Sequence, residues 1–383
     1  MDDWRVLHAG AWARVRQTLR LSRPDGRSIV PVVLAISIGS WLVTLALAYL
    51  QPGIGSDAVR QVLEDYGVAA RLLLAVPILL LDEYRVDRHL SLILPGVLAE
   101  GLFTAENRGI WEEGVRAMRR RVTGAATLLV IAAIVVILII SSLHRPVPAV
   151  SSPWMERPGG AVLSWAGLWY TVIARPLFLF LGILWLWRWI SISFFVWRTS
   201  RSPLELLPSH PDKMGGLALF MGLGTAVMAV IFTASAVVSA EIYHEMAAHA
   251  GTLKSFAPLM IGFLVLAIAF ALGPFLLFTP LLARLRRRAL YLYGILAAQH
   301  SVLFEKRWFR RDAPVDELMG ASEISSLTDL ATAYFVAESI QTVPFGRGTV
   351  VTVALAAAIP MIPVVLLEVP LQEIVSRIAK FLM

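Results

Sequence analysis

The chain has 383 residues, 57% of them hydrophobic and 16% charged, and its mean hydropathy is +0.71. A soluble domain carries about 25% charged residues, so this chain lacks the polar material to cover a soluble surface. Its length reads as about six to eight membrane crossings rather than two or three soluble domains. With no cysteine, disulfides, thiolate metal sites, iron–sulfur clusters and a cysteine nucleophile are excluded.

Residues 1–27 are basic, and Trp4, Trp12 and Leu19 suit an amphipathic segment at the membrane surface. No small-residue cleavage site follows the first apolar run, so 28–50 is expected to be a retained span. A second span is expected at 67–81, with Arg71 snorkelling outward; together these make 28–81. Residues 82–121 open with Asp82-Glu83-Tyr84-Arg85 and are expected to form a cytoplasmic helical layer. In it, Thr104 caps a helix holding Trp111 and Val115. Spans three to six occupy 122–280, at 122–142, 176–197, 215–240 and 256–280. The stretch 161–197 is too long for one crossing at 1.5 Å per residue, and Arg175-Pro176 is the expected break, leaving 161–174 as an interfacial helix. Residues 281–348 read as a cytoplasmic helical segment, with a helix following Ser326 and Asp329 completing a capping-box pattern. A seventh span at 349–367 bears Pro360 and Pro363. It is followed to residue 383 by an amphipathic helix whose apolar face is Leu371, Ile374, Val375, Ile378 and Leu382.

These runs read as helices because backbone groups in lipid must be satisfied internally; the alternation of barrel strands is absent. The expected fold is an all-α, polytopic membrane bundle of about seven spans with cytoplasmic helical extensions. Charge supports the parity. With the N-terminus inside, 25 of the 34 Lys and Arg residues fall in 1–27, 82–121, 198–214 and 281–348, and seven fall in the outer segments, as the positive-inside rule requires. The net charge of +7 is then topological, and a nucleic-acid partner is not needed.

A Trp/Arg-rich span (Trp185, Trp187, Arg188, Trp189) precedes His210-Pro211-Asp212 and Gly215-Gly216-Leu217. Further on come Gly273-Pro274, Pro280, Tyr293-Gly294, Ser326-Leu327-Thr328-Asp329-Leu330 and Pro344-Phe345. In these features the chain resembles a family of uncharacterised bacterial polytopic inner-membrane proteins. The resemblance covers most of the chain after about residue 70. It implies a bacterial inner-membrane location and brings no chemistry with it.

Each polar motif has a functional and a structural reading. Arg188 lies twelve residues into its span, roughly 18 Å from the outer end. An intramembrane arginine is a functional candidate that would favour anions in a pore, or it stacks on Trp185. His210-Pro211-Asp212-Lys213 spells the J-domain tetrapeptide, but its flanks are spans and not soluble helices. Asp212 is expected to cap the next helix. The alternative is a cytoplasmic mouth where free helix N–H groups attract an anion and His210 responds to pH. In His244-Glu245-Met246-Ala247-Ala248-His249 the histidines are five apart and diverge by about 140°, which excludes zincin chemistry. Glu241, Glu245 and His249 fall at i, i+4, i+8 with His244 beside them, at the outer end of span five. They are candidate ligands for a divalent metal, or else a solvated helix end. Gly222, Ala226, Ala229, Thr233, Ala236 and Ala240 form a small-residue stripe, for close helix packing or for lining a narrow pore with Thr233 as its hydroxyl.

Serine-elbow, phosphate-loop and dinucleotide signatures are missing, so a soluble-type enzyme is not expected; an intramembrane enzyme acting on lipid ranks last. The leading expectation is an inner-membrane channel or channel-like transporter for ions or small solutes, anion-favouring and homo-oligomeric. Arg188 and Thr233 would lie in its pathway, His210 and Asp212 at its inner mouth. The rival is a non-transporting scaffold or sensor that binds a protein partner through 82–121 and 281–348. No cofactor is expected beyond the divalent metal.

Overall fold

The computed structural model describes residues 29–52, 55–144, 152–157, 162–249, 252–309 and 322–368, with Trp4, Val6, Leu7, Arg14, Gln17 and Thr18. The expected C-terminal helix and most of 1–27 lie outside the described residues. The molecule is an all-α bundle; among the described residues there is no strand, only an isolated bridge between Glu156 and Leu163. The helices are α1 (Val30–Tyr49), α2 (Gly55–Glu64), α3 (66–99), α4 (Arg108–Thr123), α5 (Ala125–His144) and α6 (Trp165–Ser200). They continue with α7 (218–249), α8 (Leu253–Leu272), α9 (Thr279–Trp308), α10 (Ser322–Glu338) and α11 (347–368). Six helical stretches are long and apolar enough to cross a membrane, within α1, α4–α5, α6, α7, α8–α9 and α11, as expected of a multi-pass membrane protein.

The expected second span is not one of the six. It is the first half of α3, a continuous rod of about 50 Å at 1.5 Å per residue that absorbs the first part of the expected 82–121 layer. α3 packs against α1, α6 and α7, and Leu72, Val76, Leu79, Val86, Leu90, Leu94 and Val97 are buried. A helix walled by other helices need not be apolar along its length, because its polar groups meet protein and not lipid. Its Asp82, Glu83 and Asp87 are all buried.

Two helices carry a widened π-turn, Ala70–Ala75 in α3 and Tyr170–Ala174 in α6. Each ends two residues before a proline, Pro77 and Pro176. Proline removes one N–H and crowds the carbonyl four residues back; one extra residue per turn accommodates both. The break expected at Arg175-Pro176 is therefore a π-turn inside one continuous helix. Pro274 produces a different solution. The 3-10 turn Gly273–Phe278 joins α8 to α9, and the Phe270 carbonyl, which Pro274 cannot bond, accepts the Trp189 indole N–H at 2.9 Å. Near Pro360 the 3-10 turn Ile359–Met361 interrupts α11, and Ser235 of α7 donates to the Ala357 carbonyl at 2.5 Å.

The small-residue stripe of α7 is a packing surface. Gly222 approaches α3 so closely that a Cβ there would lie 2.7 Å from the Ile93 side chain, and Ala226, Thr233 and Ala240 are buried. Gly167 lies under the segment 152–157, where a Cβ would meet the Met155 carbonyl oxygen at 2.3 Å. Thr104 accepts the Asn107 and Arg108 N–H groups through its carbonyl just ahead of α4, close to its expected capping role. α10 begins at Ser322, so Ser326 lies within the helix and not at its cap.

Among the described residues, parts of the basic segments meet the rest of the bundle through backbone contacts. Asp87 on α3 accepts the Val6 and Leu7 N–H groups at 2.9 and 2.6 Å. The Trp187 indole donates to the Arg121 carbonyl at 2.9 Å, an acceptor left without an intrahelical partner where α4 ends at Gly124. Elsewhere Gln51 reaches the Glu156 carbonyl at 2.9 Å, and Trp154 reaches Asp65.

Candidate functional site

Three polar stations are strung along α3. The first, at its N-terminal end, is built on the two π-turns. Asp65 precedes the helix and accepts the Val68 N–H at 3.0 Å, the Ser152 hydroxyl at 2.7 Å and the Trp154 indole at 3.1 Å. Arg71, on the first π-turn, donates to the hydroxyl of Tyr170, the first residue of the second, at 3.1 Å. It also pairs with Glu241 of α7. One guanidinium thus ties both π-turns to a third helix. The π-turn is the place where a helix can change register at least cost, and it is frequent at functional sites.

The second station is the pair Glu83–Arg188. The guanidinium Nη2 donates to Glu83 Oε1 at 2.9 Å, with the two side chains 1% and 3% exposed. Trp185 covers the guanidinium at 5.1 Å and anchors itself by donating to the Leu79 carbonyl at 2.9 Å. Trp187 beside it is level with the corner where α4 ends and the apolar α5 begins. The pair therefore lies near the α4–α5 corner. Asp82, one residue earlier, meets Arg85 at 2.5 Å.

The third station lies beyond the C-terminus of α3, in the loop 201–217. The His210 ring sits between two carboxylates, Nε2 2.7 Å from Glu100 and Nδ1 2.7 Å from Asp212. Burial disfavours the charged ring, but the hydrogen bonds to Asp212 and Glu100 outweigh it and raise the His210 pKa above its ordinary value. Asp212 accepts the N–H groups of Met214 at 2.8 Å, Gly216 at 3.0 Å and Ala218 at 3.1 Å. Burial pushes this carboxyl up, and those backbone donors with His210 more than offset it, so its pKa is lowered. The wrap is tight enough to hold Lys213 at φ 58° and Gly216 at φ 98°, the left-handed region that glycine adopts freely and lysine does not. A Cβ on Gly216 would also lie 2.9 Å from the Leu102 side chain.

The expected capping role of Asp212 thus takes an extended form. Leu217 occupies the cap position of α7, and Asp212 reaches the first-turn N–H of Ala218 from six residues back. Its own carboxylate satisfies the N–H groups that an external anion would have used. The loop is also a joint. The Lys213 carbonyl accepts the Gln341 N–H at 2.9 Å, and Gly215 lies against Leu285 of α9. Arg286 donates to the Glu338 carbonyl at 3.1 Å. The hairpin of α9 and α10 is pinned here to the rest of the bundle.

Arg188, expected to face a pathway, is enclosed by Glu83 and Trp185. The Thr233 hydroxyl turns back to its own helix, donating to the Val230 carbonyl at 3.0 Å. Of the metal candidates, Glu241 is engaged by Arg71, and the side chain of His249 lies outside the described residues. Among the described residues no group of three or more His, Asp or Glu side chains is arranged to hold a metal ion, so Glu241, His244 and Glu245 are not assembled into such a site. A shallow cleft lies between α4 and α6, lined by Trp111, Phe195, Arg198 and Thr199 among others, and includes neither Arg188 nor Thr233.

Glu83, Glu100 and Tyr170 are missed by sequence reasoning. Glu83 and Arg188 are 105 positions apart and Glu100 and His210 are 110 apart, distances that no local spacing rule spans. One signal was available: reading 72–103 as a single helix would have put Glu83 on the same rod as the second span. No family model matches this chain, and no curated protein or solved structure matches it either. The site therefore rests on the chain's own residues.

Proposed function

We propose that the protein is a membrane-embedded scaffold or sensor that engages a protein partner through its cytoplasmic helices, above all the α9–α10 hairpin. The carrying observation is the hairpin's outer face. α9 runs on without a break past Arg286, Arg287 and Arg288, and beyond them Leu292, Ile295, Leu296, Val302 and Leu303 are each 40% exposed or more. Their spacing places them on one stripe of the helix, turned away from Tyr293, which packs towards α10. An apolar stripe lying past an arginine run is poorly placed for lipid and suits an amphipathic partner helix. The joint at His210 and Asp212 supports the same reading, because it gives the bundle a mechanical connection to the hairpin. We place the protein in a bacterial inner membrane with its N-terminus cytoplasmic, on the positive-inside rule.

A second reading, a channel or channel-like transporter of ions or small solutes, draws on the two bridged π-turns, which are suited to a register shift. Ion flux from proteoliposomes under a set voltage separates the two. The scaffold reading expects no chloride or potassium flux from folded, inserted protein. It also expects a photo-crosslinker at Leu296 to trap a discrete protein partner in cells, lost on Leu292→Glu/Leu303→Glu. Selective flux that falls in Arg71→Gln, with no such crosslink, would replace it by the channel reading.

A further inference from the structure

One face of α6 remains uncovered near the α4–α5 corner. Leu186, Trp187, Ile190, Phe194 and Trp197 are each 37% exposed or more and recur at helical spacing. Two guanidiniums lie over this face. Arg121, from the end of α4, sits 4.2 Å from the centroid of the Phe194 ring, and Arg201, from the end of α6, sits 4.8 Å from that of Trp197. The two rings are neighbours, with centroids 5.2 Å apart. The backbone at Arg121 is fixed, since its carbonyl accepts both the Trp187 indole at 2.9 Å and the Thr127 hydroxyl at 2.8 Å.

Two other arginines in this region meet acids. Arg198 meets Glu113 at 3.6 Å and Arg108 meets Glu112 at 2.8 Å. Among the described residues neither Arg121 nor Arg201 has a carboxylate within 4.0 Å. A guanidinium stacked by its face on a ring keeps its N–H edge free for a planar bidentate acceptor such as a phosphate. The corner lies where the apolar α5 begins at Ala125, the level at which a lipid phosphate would lie beside a spanning helix.

We propose that this ledge is a binding site for an anionic phospholipid. Its headgroup phosphate lies between the edges of Arg121 and Arg201, and its acyl chains run along Ile190 and Leu186. Charge decides the occupant: two cations with no carboxylate beside them among the described residues, above a strip of apolar side chains, match a lipid with net negative charge. A zwitterionic lipid brings its own cation and gains less.

The test is native mass spectrometry of the full chain in neutral detergent, titrated with phosphatidylglycerol or with phosphatidylcholine. The wild type is expected to retain phosphatidylglycerol more tightly. A basic residue beside the headgroup of the bound lipid contributes about a fivefold preference for an anionic one. Arg121→Gln/Arg201→Gln is therefore expected to lower the preference about thirtyfold. Arg121→Lys/Arg201→Lys, which keeps the charge and loses the bidentate edge, should fall between the two, and it decides the matter if the glutamine variant does not fold. Arg287→Gln/Arg288→Gln removes the same charge from exposed positions on α9 and should leave the preference intact. Equal retention of both lipids by the wild type would overturn the proposal. So would a preference unchanged in the Arg121/Arg201 variants, or one lost equally in Arg287→Gln/Arg288→Gln.

Discussion

Removing one member of the Glu83–Arg188 pair tests whether this arginine is a strut of the bundle or part of a water-filled path. The guanidinium and carboxylate are 2.9 Å apart and 1% and 3% exposed, so deleting either removes an ion-pair partner from a charge held out of water. A stranded buried charge costs about 3–5 kcal/mol, whereas replacing both partners by uncharged groups of similar volume is close to neutral. Arg188→Met and Glu83→Gln should each destabilise the protein by about 3–5 kcal/mol. The double variant should be less destabilised than either single, so that the coupling in a double-mutant cycle exceeds the larger of the two single losses. Unfolding by SDS titration in mixed micelles, followed by loss of helical circular dichroism, measures all four proteins on one scale. Single variants within about 1 kcal/mol of wild type, with no recovery in the double, would refute the reasoning. That outcome is the signature of a solvated pair, and it would return Arg188 to an aqueous pathway.

The joint at His210 gives a pH dependence of definite sign. Its folded pKa lies above the ordinary value of 6.5, so its stabilisation is fully present below about pH 6.5 and is lost as pH rises through the raised value. Thermal melting in detergent should show the wild type falling towards His210→Gln above neutrality; parallel curves across pH 5.5–9 would contradict the clamp. Asp212, lowered from 3.8, keeps its contribution above that value and loses it as pH falls through the depressed one. Asp212→Ala should cost about 1–3 kcal/mol at neutral pH, because buried N–H groups lose their acceptor, and Asp212→Asn should cost less. Lys213→Gly should stabilise the loop by about 0.5–1 kcal/mol by relieving a left-handed lysine, read as a higher melting temperature. Trp189→Phe should cost about 1–3 kcal/mol, since the Phe270 carbonyl released by Pro274 then has no donor; SDS titration detects it. Gly167→Ala forces a Cβ onto the Met155 carbonyl oxygen, a fixed backbone atom, and should loosen the segment 152–157, seen as earlier proteolytic cleavage there.

Hydropathy alone determined that the chain is an all-α membrane bundle, and it located six of the stretches that are apolar enough to span. Lipid is a uniform apolar solvent that imposes the same demand on every exposed residue, so a sum over a window suffices. Charge counting yields an expected orientation for a similar reason: each basic residue contributes independently of its neighbours. Asp212 was also legible, because a carboxylate ahead of a Gly-Gly turn and a helix acts on backbone N–H groups only a few residues away.

Tertiary structure decided everything that depends on which helix lies beside which. α3 is polar in its second half yet lies among α1, α6 and α7, because walls of protein relieve it of meeting lipid. That placement converts Glu83 from a surface residue into the partner of Arg188, and Glu100 into the partner of His210. The two π-turns follow from Pro77 and Pro176, but their bridging by Arg71 and Tyr170 follows from packing. A buried charge is a debt to whatever surrounds it, and the sequence names the charge while only the fold supplies the surroundings.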